Sequence, residues 1–417
     1  MATSIRTQLA IVGGGPAGMM LGLLMARAGI SVVVLEKHGD FLRDFRGDTV
    51  HPSTLEVMYE LGLLDEFLKR PHQCLQELSG VIGGVGVTIA DFSRVPGHCK
   101  FIALMPQWDF LDFLSSHAKR YPNFHLIMEA EATGLIEENG RIAGVSADTL
   151  DGRLELRADL VVGCDGRQSL VREQARLPLI EFGVPIDVLW MKLSKNKDDS
   201  PTTLGRMAAG LIFVTLDRGE YWQCALVISK DGAEKLRAEG LDAFRRTIVR
   251  VAPSFADRVD EIQDWNQVKL LTVKVNRLRE WCRPGLLCIG DAAHAMSPIG
   301  GIGINLAIQD AVATANILAT ILARGVPSLD DLKRVQQRRE FPTKMTQGLQ
   351  TVIQDRVMTR VLALKRDPKP PLAVRLLNRF RLLRQIPARI VGIGFRPEHV
   401  HSPAIVEPIA ARPIAAE

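Results

Sequence analysis

The stretch QLAIVGGGPAGMMLGLLMARAGISVVVLEK, residues 8–37, restricts the possible folds more than any other part of the chain. Leu9 to Val12 suits a buried strand, the three glycines and Pro16 a turn, the uncharged run to Ala26 a buried helix, and VVVL a second strand. That is a βαβ unit, and it commits the chain to a parallel sheet covered by helices. The apolar run from Leu9 to Ala26, preceded by Arg6, also resembles a signal or membrane anchor in composition. Gly13, Gly14, Gly15 and Pro16 interrupt it, so strand, turn and helix explain the same residues, and a cytoplasmic location is expected.

Within this unit Gly13, Gly15 and Gly18 fit the G-x-G-x-x-G spacing, with Glu36 ending the next strand. Gly13 allows the tight turn, Gly15 lets backbone approach a pyrophosphate, and Gly18 lets helix and strand pack closely. Glu36 is expected to accept hydrogen bonds from adenosine ribose hydroxyls and to disfavour a 2′-phosphate. The spacing implies a dinucleotide without choosing which one.

A second glycine-rich stretch, GDAAHAMSPIGGIGIN, occupies residues 290–305. Asp291 follows the apolar run GLLCI, where burying a carboxylate is costly unless it accepts hydrogen bonds. A hydroxylated chain such as ribityl would donate them. Pro298, Gly300, Gly301, Gly303 and Asn305 exceed what an ordinary turn needs, and they lead into a helix starting near Ile304, whose free N–H groups favour negative charge.

Elsewhere, DLVVGCDGRQSLVREQA repeats the strand–turn–helix pattern, and DVLWMKLS, LIFVTLD, YWQCALVIS and VKLLTVKV read as strands of another sheet. The expected class is α/β: a Rossmann-like domain built from residues 1–77, 106–178 and 279–330. Residues 78–105 and 179–278 form an inserted, mostly antiparallel sheet, and 331–417 a helical C-terminal region ending in a mobile tail. Alternation puts about half of Trp190, Tyr221 and Trp222 on the wrong face for one cavity. With 47% hydrophobic and 24% charged residues this is an ordinary globular composition. A net charge of +5 without interleaved aromatics or a zinc-finger pattern argues against nucleic acid. Six cysteines without a CxxC pair imply buried free thiols and no metal site. PLAVRLLNRFRLLRQIPARIVG, residues 371–392, reads as an amphipathic basic helix. Such a helix can lie on an anionic membrane, but packing on its own protein is the commoner use and is expected here.

Three ordered motifs, GGGPAG with Glu36, CDGRQSLVR from Cys164 to Arg172, and GDAAHAMSPIGGIGIN, resemble the fingerprints of FAD-dependent aromatic monooxygenases of the p-hydroxybenzoate hydroxylase type over residues 7–320. The resemblance implies non-covalent FAD, with NADH or NADPH as co-substrate. It implies an aromatic small molecule hydroxylated with O₂ through a flavin C4a-hydroperoxide. It places Asp291 on the ribityl and phosphate side of FAD, Asp165 and Gly166 near FAD and nicotinamide, and Arg46 and Gln107 on FAD. Gly303 and Asn305 join this cofactor set, while His51, Pro298 and Gly301 are candidate pocket positions. A helix end near Ile304 would stabilise a reduced, anionic flavin. Arg172 also reads as a structural partner of Asp165, and His294 as a hydrogen-bonding turn residue. Two alternatives stay open: a reductase or dehydrogenase on the same scaffold acting on an isoprenoid or quinone-related substrate, and a non-catalytic flavin-binding protein. Neither the substrate nor the oligomeric state is encoded in a motif.

Overall fold

The computed structural model describes residues 3–42, 49–199 and 204–409. In chain order it begins with β1 (Thr3–Val12), α1 (Pro16–Arg27), β2 (Val32–Leu35), α2 (Pro52–Glu60) and α3 (Gln107–Ala118). It continues with β3 (Phe124–Ile127), β4 (Gly152–Gly163), β5 (Leu286–Cys288), α4 (Ile302–Leu322) and α5 (Leu329–Ile353). The five strands form one parallel array in the order β3-β2-β1-β4-β5, with Leu9 opposite Leu160 and Val12 opposite Gly163. The array grows one way from β1 and then the other, so the crevice at the carboxyl ends of β1 and β4 is a topological switch point, where such sheets bind ligands.

Every residue of α1 from Ala17 to Ala26 is buried, which its uncharged sequence requires. The segment Ile299–Leu322 is long and apolar enough to span a membrane, but 83% of its most apolar window is buried inside the protein, so it is a core helix. This helix starts at Ile302, two residues before the expected position. The hairpin Glu131–Glu138/Arg141–Thr149 adds antiparallel strands to the first half of β4 and was not anticipated from the sequence. Its signal was present: Asn139-Gly140, both at positive φ, is the two-residue turn that matches hairpin twist.

The second large sheet has seven strands in the order 269–271, 186–194, 221–229, 211–217, 204–208, 77–82, 85–91. All pairs are antiparallel except 204–208 with 77–82. One face buries Met191, Phe213, Trp222 and Leu226 under the helices Gly232–Glu239 and Leu241–Val251. The other carries Val188, Ile212 and Val227, with half-buried Trp190, against Val361. Trp190 and Trp222 therefore face opposite ways, as strand alternation requires. Leu179–Phe182, Val275–Leu278 and His294–Ala295 form a small sheet joining the root of this layer to the 290–301 region. The chain finally returns to its beginning: Ile405 and Val406 donate backbone N–H to the Arg27 carbonyl at 2.9 and 3.1 Å. Five cysteines are buried thiols and Cys74 is exposed, a departure from the expectation that all are buried.

The glycine turn is set by contact rather than by flexibility alone. A Cβ at Gly18 would lie 2.0 Å from the Gly13 carbonyl oxygen, while a Cβ at Gly15 would meet nothing within 4 Å. Gly18→Ala is therefore expected to lower the urea midpoint sharply, despite the roughly 1 kcal/mol by which alanine favours a helix. Gly15→Ala should leave the midpoint nearly unchanged in the cofactor-free protein; equal midpoints for the two variants would contradict this packing.

Candidate active site

Turns at the carboxyl ends of three neighbouring strands meet on one ledge. After β1, Gly13 adopts φ +103°, and a Cβ there would lie 2.5 Å from the Cys164 carbonyl oxygen. Only glycine lets the first turn touch the turn after β4. After β5, a Cβ on Gly290 would lie 3.1 Å from Ala17 Cβ and 3.3 Å from Ala307 Cβ, so this turn rests between α1 and α4. Arg172 joins the last two turns by donating to the Ala292 carbonyl at 3.0 Å and the Arg167 carbonyl at 2.8 Å. It is thus bonded to backbone across the two loops.

Three features of this ledge suit a dinucleotide. The α1 N-terminus has no side-chain cap, and its first turn begins beside the open Gly15. Asp165 Oδ2 accepts the Val171 N–H at 3.1 Å, while buried Oδ1 has no partner among the described residues, and burial raises the pKa of this carboxyl. Such an orphaned acceptor suits a ligand hydroxyl. Beside it Gly166, at φ +84°, has open space where a side chain would stand. Glu36 is buried at the end of β2, with Oε2 accepting the Gly14 N–H at 2.9 Å and Oε1 the His38 N–H at 3.1 Å. A carboxylate at the end of this strand can accept hydrogen bonds from several donors at once.

The second glycine stretch corrects one premise. Asp291 is one-third exposed and pairs with Arg167 Nε at 3.1 Å, so it is not the buried acid anticipated from the sequence. The buried acid is Asp310, with no exposure, on α4. Its Oδ2 accepts the Gly290 N–H at 3.0 Å and bonds His294 Nε2 at 2.6 Å, and its Oδ1 accepts from Arg339 Nε at 2.9 Å. Arg339 also reaches Glu398, which Arg338 pairs from outside. The charged neighbours and hydrogen bonds hold the Asp310 carboxyl below the usual range in spite of its burial. Sequence reasoning missed Asp310 and Arg339, although Asp310 is the only charged residue in α4.

The remaining expected positions are distributed unevenly. Asn305 is buried and spends itself on its own chain. Its Oδ1 accepts from His51 N and Thr54 Oγ1, both at 2.8 Å, and its Nδ2 donates to the Thr49 and Gly301 carbonyls. Gly301, at φ +62°, is required by Thr49, whose Oγ1 would lie 2.0 Å from a Cβ there. Gly303 has only Met296 Cβ nearby, at 3.8 Å, and Pro298 is half-buried. Gln107 opens α3, half-buried after Pro106. Arg46 lies outside the described residues. His51 has no exposure; its Nδ1 bonds the Val391 carbonyl at 2.7 Å, and burial drives its pKa from 6.5 to about 4. It is a neutral packing residue in this conformation.

A family model described as an FAD binding domain matches residues 6–348. The chain is 34% identical over 397 residues to 6-methylpretetramide 4-monooxygenase of Streptomyces rimosus, covering 93% of each protein. The chain belongs to the FAD-dependent aromatic monooxygenases. This monooxygenase is accordingly an oxidoreductase with FAD as its cofactor. Its fold is also that of p-nitrophenol 4-monooxygenase PnpA from Pseudomonas putida DLL-E4, with TM-score 0.74 and 20% identity over 93% of this chain and 97% of that one. PqsL of P. aeruginosa, solved in complex with 2-aminobenzoylacetate, gives 0.73 and 23% over 86% and 99%. The resemblance read from three motifs is borne out, together with the mixed α/β architecture.

Two outcomes follow for this monooxygenase. Asp310→Asn leaves Arg339 with Glu398 as its remaining carboxylate partner and removes the charge that faces His294, and should cost about 1.5–3 kcal/mol in urea unfolding. A loss below about 1 kcal/mol would mean the pair is not a structural element. For His51 the folded pKa lies below the unfolded one, so its contribution is full near neutrality and is lost as pH falls from 6.5 towards 4. The loss should be about 3 kcal/mol, and His51→Asn should flatten the stability profile over that interval.

Proposed function

We propose that this monooxygenase hydroxylates a phenolic or otherwise electron-rich aromatic or heteroaromatic small molecule, using O₂ and NADH or NADPH. The supporting observation is the ledge itself: three turns from β1, β4 and β5 packed together at a switch point, joined by a small sheet to a separate seven-stranded layer. Bound FAD supplies the redox chemistry, accepting reducing equivalents from the nicotinamide and activating O₂.

In this reading the chain binds, orients and shields. The uncapped first turn of α1 receives the pyrophosphate, with Gly15 leaving the approach open, and Glu36 takes the adenosine ribose. Asp291, steadied by Arg167, accepts from the ribityl and phosphate side, and Asp165 with Gly166 borders it. The α4 N-terminus, whose N-cap Gly301 offers no side-chain cap, would favour negative charge on a cofactor held beside it. Pro298 and Gly303 add little bulk beside it. Half-buried Trp190, Met207 and Val214, on the face of the inserted sheet that meets Val361, provide apolar walls that exclude water. The 1–77, 106–178 and 279–330 segments serve as the cofactor domain in this scheme, and 78–105 with 179–278 as the substrate layer. Free thiols at all six cysteines support a cytoplasmic location.

Turnover under ¹⁸O₂ with NAD(P)H and a panel of phenols tests the reading. One labelled oxygen in a hydroxylated product is expected. Oxidation of NAD(P)H coupled to substrate reduction, with no label incorporated, would select the reductase reading, and absence of any turnover the binding-protein reading. Asp291→Ala removes only a partly exposed ion pair and should remain folded, because such pairs contribute roughly 0–1 kcal/mol. It is expected to purify without flavin; stoichiometric, tightly held FAD in that variant would remove Asp291 from the cofactor site.

A further inference from the structure

The basic C-terminal stretch does not pack as amphipathic helices usually do. Helix α6 (Leu372–Arg379) has no buried residue, although its apolar and polar positions are strongly segregated. Its attachment to the protein is polar. Asn378 donates to the Gly86 carbonyl and accepts the Thr88 N–H, and buried Arg384 closes the following turn by donating to the Leu377 and Asn378 carbonyls, both at 2.9 Å. Helix α7 (Gln385–Gly392) is then anchored by Ala388, Gly392 against Phe92 and Pro52, and the Val391 carbonyl on His51. The segment is held in place with Val374 and Leu377 half-buried and its other large apolar residues up to Ile386 pointing outward. Leu372 is 69% exposed, Leu382 67%, Ile386 60% and Phe380 53%, values that describe projecting side chains rather than the walls of a groove.

The charge within this segment is one-sided, with Glu77 and Asp91 of the neighbouring sheet close to Arg381. Residues 364–392 contain eight Lys and Arg and one acid, a formal +7 in a chain that totals +5, so the rest of the protein is slightly acidic. The single acid, Asp367, accepts the Ala209 N–H. Arg381 lies 3.9 Å from Glu77, but Arg375 and Arg379 are exposed beside Leu372, Leu376 and Phe380. Projecting leucines and a phenylalanine ringed by arginine match an anionic lipid interface: the apolar groups enter the acyl boundary while the guanidinium groups stay at the headgroups. A partner protein would need a groove fitted to the projections and an acidic rim, and nucleic acid would gain nothing from the leucines.

We propose that α6, the turn after it and the start of α7 form a docking surface for an anionic membrane leaflet. The inference is independent of which aromatic compound the enzyme hydroxylates.

Flotation of the FAD-loaded, full-length enzyme with phosphatidylcholine vesicles, with and without phosphatidylglycerol, tests it. Binding to the anionic vesicles alone is expected, weakening as salt is raised. Arg375→Gln with Arg379→Gln should lower partitioning about thirtyfold, roughly fivefold per charge removed. Leu376→Asp with Phe380→Asp should abolish it while the melting temperature and flavin content stay those of the parent. Three results would overturn the proposal. One is no flotation with anionic vesicles at low salt. The second is flotation that the Leu376 and Phe380 substitutions leave unchanged. The third is a lipid-free oligomer that the same substitutions dissociate, which would make the face a contact between copies of this chain.

Discussion

One carboxylate without solvent exposure, Asp310, sets the geometry on which the ledge depends. Burying a charge in the middle of an apolar helix is unfavourable unless several donors converge on it, and here a backbone N–H, an imidazole and a guanidinium do so. Because that N–H belongs to Gly290, the turn that presents Asp291 is fixed from the core side by Asp310 and from the solvent side by Arg167. Arg339 extends the same network to Glu398, so the position of the turn that bears Asp291 is coupled to a residue more than a hundred positions later.

Much of this arrangement is legible in the sequence, for identifiable reasons. Local patterns declare themselves: the glycine spacing, Pro16 at the start of α1 and the VVVL strand each have one economical structural reading, and β1, α1 and β2 follow. The three turns are also found from their residues. What sequence reasoning did not supply is which acid is buried. Asp291 and Asp310 both sit in apolar surroundings along the chain, and only the tertiary placement of Arg167 and Arg339 separates a partly exposed ion pair from a sealed one. A lone charge in a twenty-one-residue helix was the available clue. Likewise Gly301 and Asn305 looked like ligand-facing positions, but their residue types are demanded by Thr49, Thr54 and the His51 backbone, contacts between segments some 250 residues apart.

The inserted layer shows the opposite balance. Its strands are recognisable by composition, yet strand alternation alone cannot say which face meets the helices. The structure resolves this by burying Trp222 under one layer and turning Trp190 to the other side. Its half-buried side chains leave no motif because any large apolar residue can fill the space. The turn-forming parts of the chain are constrained by backbone geometry, whereas the inserted layer is constrained mainly by volume.

The return of the chain to Arg27 has a bearing on how the molecule is made. The carbonyl near the carboxyl end of α1 finds its partners in Ile405 and Val406, hundreds of positions further along the chain. Its sheet is likewise incomplete until β4 and β5 have been synthesised. The βαβ unit therefore stays unsealed until distant segments arrive, and long-range closure of this kind is slow because loop entropy is lost before the contacts form. A unit whose local pattern is the clearest in the sequence is thus completed only by its most distant contacts.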